Sequence, residues 1–521
     1  MMPYQIFSEN EWIYPDTVLT EANAAVLHSP RGADVCFQVL TDHLLREESF
    51  SLDVTGLDGI SAEPYQLMGA YVDENSHAKS LTTLDYDSVK HFVTRKAPFT
   101  VYDMTRPLDT GRLALDFASD RAAFYIRLNV PANAVPGQYN GAVTLHIGEE
   151  TLVLPVSLKV YGTVVPALPD ASFHQINWIY YDKLAAHHNV EIMTPAYRDV
   201  LLAYFANQQD MRNDYLMIPS GVPVRDTDGR VVDFDFTHAA YVGNLALEYG
   251  FRYVLGGFVA RFDAWDDPDH MLLWDRSVGV STIEGYRQLK IYFTRAWECE
   301  VQNGWQENYM QCLVDEPQFP NSLTYRALSG ICRSRMPGVK INDPVETTEI
   351  AGALDVWVVK QAVYEKYLDD YRRLQDMGEE MWLYTCGFPA GKTMNRVMDL
   401  PLTVSRLPMW MCVLYDCPGF LHWGYHCHNE ERERSTCYRA GGTARYPAGN
   451  AHVVYPGDGR PWYSVRGHLQ RAGAVDAELF HMLDPDCAKA LIRQVCTSFD
   501  DYDPAAGALE DVRRQVLEIL G

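Results

Sequence analysis

From Asp170 onward the chain alternates between short apolar runs and amphipathic stretches, and no other feature constrains its fold so tightly. Strands are expected at Phe173 to Trp178, Tyr215 to Ile218, Tyr253 to Phe258, Tyr309 to Val314, Val339 to Ile341, Val356 to Val359, Met381 to Tyr384 and Phe420 to Trp423. Helical spacing of apolar residues is expected over Pro195 to Asn207, His238 to Tyr249, Ile283 to Asn303, Asn321 to Arg335, Tyr364 to Met377 and Ser464 to Leu483, with an amphipathic closing helix from Pro504 to Leu520. Strands separated by helices are joined by crossovers and lie parallel. About eight of them predict a (β/α)8 TIM-type barrel over residues 170–521.

The first 163 residues follow a different grammar. Phe124 to Val130 alternates, Pro131 to Tyr139 is rich in turn formers, and Gly141 to Ile147 and Leu152 to Tyr161 return as strands about a hairpin turn at Gly148-Glu149-Glu150. Short alternating runs between turns predict a β-sandwich. Val164-Val165-Pro166-Ala167-Leu168-Pro169 is a stiff exit, since two prolines hold the chain extended. The expected fold class is therefore α/β plus all-β, an N-terminal β-sandwich followed by the barrel. A chain of 521 residues is long enough for both.

Charge removes several classes of partner. A formal net charge of -25 opposes sequence-independent nucleic-acid binding and attraction to anionic membranes, both of which draw on basic residues. A neutral ligand is the easier partner, with no nucleic acid and no membrane expected; a second copy of the chain is left open. The start Met1-Met2-Pro3-Tyr4-Gln5 has no basic patch leading into an apolar run, no segment offers a bilayer-spanning length, and the 11 scattered cysteines suit reduced thiols. A soluble, cytoplasmic protein is expected.

The chemistry concentrates at Tyr309 to Pro317, where an apolar run ends in Asp315-Glu316-Pro317. Pro317 lacks a backbone donor and stops strand pairing. In a parallel barrel, residues just past the strand ends line the ligand site, and two adjacent carboxylates repel, favouring one protonated and one ionised. The other reading is structural: the same triplet suits the first turn of the helix that follows. Gathered by strand ends, the same face would also collect His174, Asn177 and Trp178, then Lys360 and Gln361, then Trp382, Tyr384 and Cys386, and finally Trp423, Tyr425, His426 and Asn429. Trp382 and Tyr384 share one side of their strand, where they would either bound a sugar or fill the core. Aromatic faces, amides and paired carboxyls are what sugar chemistry needs. His422, His426 and His428 with Cys427 invite a metal reading, but neither the His-Glu-x-x-His helix nor paired-cysteine spacing is present. No metal is expected. Phosphate loops, nucleophile elbows and dinucleotide fingerprints are absent from the sequence.

Taken in order, these segments resemble glycoside hydrolase family 123, the β-N-acetylgalactosaminidases, and the proteins sharing its catalytic domain. The resemblance rests on Gly137-Gln138-Tyr139-Asn140-Gly141, Leu154 to Tyr161, Asn177-Trp178, Val314-Asp315-Glu316-Pro317, Asp355-Val356-Trp357-Val358, Trp382 to Cys386, Gly419 to Trp423, Tyr455-Pro456-Gly457 and Trp462-Tyr463-Ser464-Val465-Arg466. It implies an exo-acting, retaining glycosidase that uses the substrate's own acetamido group in place of an enzyme nucleophile. Glu316 would be the acid and base, and Asp315 would orient the acetamido group. Tyr384 and Trp423 would bound the sugar, and no cofactor is implied. Where the family carries an acidic Glu-Asp-Tyr run, this chain reads Ala474-Val475-Asp476-Ala477-Glu478. Two further readings stand beside this one: a glycosidase of the same fold for sugars without an acetamido group, and a catalytically silent carbohydrate-binding protein.

Overall fold

The computed structural model of the protein describes residues 3–20, 22–76, 86–264, 267–274, 276–429, 434–439 and 445–521. Two compact units are present. One contains residues His174–Thr385 and Asp416–Trp423; the other contains Met1–Phe173, Cys386–Tyr415 and Gly424–Gly521. Compactness thus divides the chain differently from a single cut near residue 165: most of the segment after residue 385, expected with the barrel, groups with the amino-terminal sheets.

The first unit is built on eight parallel strands: β1 (His174–Asn177), β2 (Tyr215–Met217), β3 (Tyr253–Gly256), β4 (Tyr309–Gln311), β5 (Lys340–Val345), β6 (Val356–Lys360), β7 (Glu380–Thr385) and β8 (Gly419–His422). They are hydrogen-bonded in the order β1-β8-β7-β6-β5-β4-β3-β2, every pair parallel. The sheet is nearly closed. Between β1 and β2 the Asp214 amide donates to the Gln175 carbonyl at 3.3 Å, and the Asp214 carboxylate accepts from the Gln175 amide at 3.2 Å and from His174 Nδ1 at 2.7 Å.

Helices pack outside because the strands alternate. Gln175 and Asn177 point outward, where Gln175 donates to the Met211 carbonyl and Asn177 donates to Asn213 Oδ1 at 2.9 Å. His174 and Trp178 lie on the opposite, inward side. The helix Ile283–Asn303 starts where expected because Thr282 caps it, accepting from the Gly285 amide at 2.9 Å, and stops at Gly304, whose φ of 71° is costly for any other residue. Several expectations change in detail: β3 stops at Gly256 and β4 at Gln311, short of the expected Phe258 and Val314. The helix expected over Tyr364 to Met377 is split into Gln361–Lys366 and Leu368–Asp376 at Tyr367, which leaves helical geometry with ψ 35°. β5 runs four residues past Ile341, to Val345.

The other unit is sheet-rich. Its seven-stranded sheet includes Ala33–Leu44, Ser61–Val72 and Arg121–Val130, and its four-stranded sheet includes Gly137–Ile147 and Glu150–Val164. Inward residues of both, such as Phe37, Phe124 and Ile126 from the larger and Val143, Leu145 and Leu154 from the smaller, form one buried apolar cluster. The Ser464-x-Arg466 segment is structural here. Ser464 caps the helix Val465–His481 by accepting from the Gly467 amide at 3.0 Å. Arg466, fully buried, donates to Asp103 at 2.8 Å and to the carbonyls of Arg396, Gly449 and His452. The acids of the divergent 474–478 stretch are also bound within this unit: Asp476 accepts from Arg406, Trp410 and Arg513, and Glu478 from the Ser172 and Phe173 amides. Among the described residues, no helix is long and apolar enough to cross a membrane.

Candidate active site

The β4 segment ends in the two acids in a conformation that lets both serve one face. Neighbouring residues in extended chain point to opposite sides, so two adjacent side chains share a face only if the backbone departs from extension. Glu316 does so, with φ 55°, a left-handed conformation that costs a residue with a Cβ about 1 kcal/mol or more. The turn is fixed on the neighbouring strand: the Glu316 amide donates to the Pro344 carbonyl at 3.0 Å, and the Glu346 amide donates back to the Pro317 carbonyl at 3.0 Å. Behind it the buried Asp343 on β5 accepts from the Leu313 amide at 2.8 Å and from the Tyr325 hydroxyl at 2.7 Å. Burial pushes the Asp343 carboxyl well above its ordinary range even so.

Asp315 opens onto a cavity of about 820 Å³. Its walls come from the chain that follows β1, β2 and β3, among them Trp178, Phe258 and, beyond the hairpin of residues 260–273, Trp274. Trp178 meets Phe258 edge-on at 5.4 Å, and its indole Nε1 is buried without a hydrogen-bond partner. Glu316 stands beside Asp315 and is held from β6 and β7. The Tyr384 hydroxyl donates to Glu316 Oε1 at 2.5 Å, and Lys360 Nζ lies 3.1 Å from the same oxygen. Lys360 also donates to Glu346, just beyond β5, and sits 5.8 Å from the centre of the Tyr384 ring.

This crowding shifts the acids. Burial, then the charge of Glu316, pushes Asp315 well above the ordinary carboxylate range; Lys360 opposes the shift and Glu346 adds to it. Burial and then Glu316 push Glu346 up to about 7, against the pull of Lys360. One corner of the barrel therefore gathers two further carboxyls, an ammonium and a phenol around Glu316.

The residues expected from strand ends separate into groups. Asp315, Glu316, Lys360, Tyr384 and Trp178 lie at the carboxyl face. Gln361 follows Lys360 and is fully buried, with neither side-chain polar atom partnered. Trp423, half-buried, follows β8. His174 and Trp382 are not brought to the acids: they stack at 5.8 Å near the amino-terminal ends of β1 and β7, and the Trp382 indole donates to Glu380, the first residue of β7. Asn177 faces the helix layer. Tyr425, Asn429, Cys386 and His426 belong to the other unit, where Asn429 donates to the Cys437 carbonyl. Glu346 was not among the expected residues, and neither was the cavity wall at Phe258, although Phe258 stands just past β3 as Trp178 does past β1.

The family model for the catalytic domain of glycoside hydrolase 123 matches residues 208–483, just over half of the chain. A parallel barrel with carboxyls gathered at its carboxyl face and this match define the class: glycoside hydrolases. The chain belongs to glycoside hydrolase family 123. Among solved structures it is similar to a family 123 glycoside hydrolase from Clostridium perfringens, described for glycolipid glycan hydrolysis, at a TM-score of 0.72 and 12% identity, covering 100% of this chain and 97% of that one. A GH10 xylanase from termite gut (TM-score 0.36, 10% identity, 68% of this chain and 91% of that one) and an endo-β-1,4-mannanase from Thermotoga petrophila (TM-score 0.37, 12% identity, 59% and 78%) match too weakly to carry an argument. No curated protein sequence matches the chain.

Proposed function

We propose that this glycoside hydrolase removes a terminal N-acetylhexosamine, with β-linked N-acetylgalactosamine the first candidate, as an exo-acting, retaining enzyme assisted by the substrate's acetamido group. The observation that carries the reading is the different surroundings of two neighbouring acids. Asp315 opens on an aromatic-walled cavity, while Glu316 is gripped at the side by Tyr384 and Lys360. In the first step Glu316 gives a proton to the glycosidic oxygen as the bond to the anomeric carbon breaks, and the acetamido carbonyl oxygen bonds to that carbon from the opposite face. Asp315 accepts from the acetamido N–H. A desolvated carboxylate is stabilised most by positive charge, and charge develops on the acetamido group as the oxazolinium-like ring closes. Water then attacks the anomeric carbon, passing its proton to Glu316, and two inversions leave the configuration unchanged. Trp178 and Tyr384 bound the sugar.

The same proposal extends to the rest of the chain. The two amino-terminal sheets, which share one apolar cluster, fit a β-sandwich. Cytoplasmic residence suits the 11 cysteines, none of them bonded to another.

The test is a panel of aryl glycosides assayed with wild type and Glu316→Gln, with a thiazoline analogue of the oxazolinium ring as inhibitor. Release from N-acetylgalactosaminide or N-acetylglucosaminide with strong thiazoline inhibition supports the reading. Hydrolysis of other sugars without thiazoline inhibition transfers the site to a glycosidase that needs no acetamido group, and no release from any glycoside leaves a carbohydrate-binding protein.

A further inference from the structure

Glu346 has no role in the scheme above, yet both its backbone and its side chain are tied to the site. The exchange of amide hydrogen bonds between 316–317 and 344–346 sets its backbone beside that of Glu316. Its side chain accepts from Lys360 Nζ, which also reaches Glu316 Oε1 at 3.1 Å, so the two carboxyls share one ammonium. The three side chains are only 14% (Glu316), 17% (Glu346) and 7% (Lys360) exposed. Two carboxylates held at one ammonium repel each other, and a proton on one of them removes that repulsion. With that proton the trio of Glu316, Glu346 and Lys360 is neutral; without it, the trio carries a net negative charge in a nearly dry place.

We propose that Glu316 and Glu346 hold one proton between them beneath the charge of Lys360, and that Glu346 and Lys360 are positioning residues that set the alkaline limit of the reaction. The inference rests on Glu316 as the acid and base. When Glu316 hands its proton to the departing oxygen, the trio passes from neutral to one negative charge, which Lys360 and the Tyr384 hydroxyl hold in place. When water delivers its proton back to Glu316 and its hydroxyl to the anomeric carbon, the neutral trio is restored. Among the described residues, ionisable groups facing the trio include Asp315, Tyr384 and, from the helix Leu368–Asp376, Tyr371. An ionised Asp315 adds negative charge and holds the shared proton more firmly still.

The signs follow from charge alone. Replacing Glu346 by Gln removes a negative neighbour, so the proton leaves at lower pH; replacing Lys360 by Met removes a positive one, so it leaves at higher pH. The experiment is the pH profile of kcat/KM on phenyl N-acetyl-β-galactosaminide, whose poor leaving group needs the acid. Glu346→Gln is expected to move the alkaline limb down by about one pH unit and Lys360→Met to move it up by about as much. A merely structural role scales the profile without moving the limb, so limbs that stay in place, or move the same way, overturn the inference. A second measurement needs no turnover: carbon-13 titration of the glutamate carboxyls in the full chain, assigned with Glu316→Gln and Glu346→Gln. Linked titration of the two resonances supports proton sharing even if the enzyme cleaves no N-acetylhexosaminide, and independent single titrations overturn it.

Discussion

The two ends of the barrel interior are furnished by the same strands and do opposite things. At the amino-terminal end, His174 stacks on Trp382, Tyr215 meets Trp382 edge-on at 4.8 Å, and Tyr253 stacks on Tyr215 at 4.9 Å. Gly419 completes this floor, since a Cβ there would fall 2.2 Å from the Trp382 ring. At the carboxyl end, the inward positions are Lys360 and Tyr384, bonded with Glu316 and Glu346, and Asp315 beside an open cavity. Trp382 and Tyr384 show how little separates the two. They are two residues apart on one face of β7, roughly 7 Å along the strand, yet one is packed in rings and the other touches Glu316. Which face a side chain points to is set by alternation; whether it packs or reacts is set by depth.

That contrast breaks most sharply under substitution of the acids. Asp315→Asn is expected to lower kcat/KM on N-acetylhexosaminides by about a thousandfold, near 4 kcal/mol, and Glu316→Gln by a similar factor on poor leaving groups, with melting temperatures unchanged or raised because a desolvated charge is lost. The floor should behave in reverse. Trp382→Ala is expected to cost about 3 kcal/mol in denaturant unfolding while the folded fraction keeps its KM; a thousandfold loss of kcat at full folding would put Trp382 in the site after all.

A buried acid away from the mouth sharpens the comparison. Glu300, on the outer helix Ile283–Asn303, is 2% exposed, has one carboxyl oxygen without a partner, and is pushed by burial from 4.5 up to about 7. A carboxyl whose pKa rises on folding gives stability that is full below its unfolded value and lost as pH climbs through the folded one. Stability should therefore fall between about pH 4.5 and pH 7. Glu300→Gln should flatten that fall and gain about 2 kcal/mol at pH 8, measured by urea unfolding across pH. The smallest effect is expected at Tyr384→Phe, which removes one donor to Glu316 and should cost about 1 kcal/mol, or several-fold, in kcat/KM.

Much of the barrel was legible because each strand is a short apolar run closed by a helix with its own stop signals, as at Thr282 and Gly304. The acid pair was legible because two adjacent carboxyls close an apolar run, although the ladder of β4 itself ends earlier, at Gln311. Glu346 was hidden by its neighbours: Asn342-Asp343-Pro344 has the composition of a turn, yet these residues belong to β5. Asp343 can lie in a buried strand only because the Leu313 amide and the Tyr325 hydroxyl, both distant in sequence, satisfy it.

The order of strands and helices, the parallel sheet and the place where the acids leave β4 were properties of the sequence, since they depend on periodicity and on residues a few positions apart. Tertiary structure alone decided that His174 and Trp382 lie on the floor, that Asn429 and Tyr425 belong to another unit, and that a third carboxyl and a lysine close around Glu316. Those outcomes depend on depth along the barrel and on contacts between strands tens of residues apart, which a one-dimensional pattern of polarity does not carry.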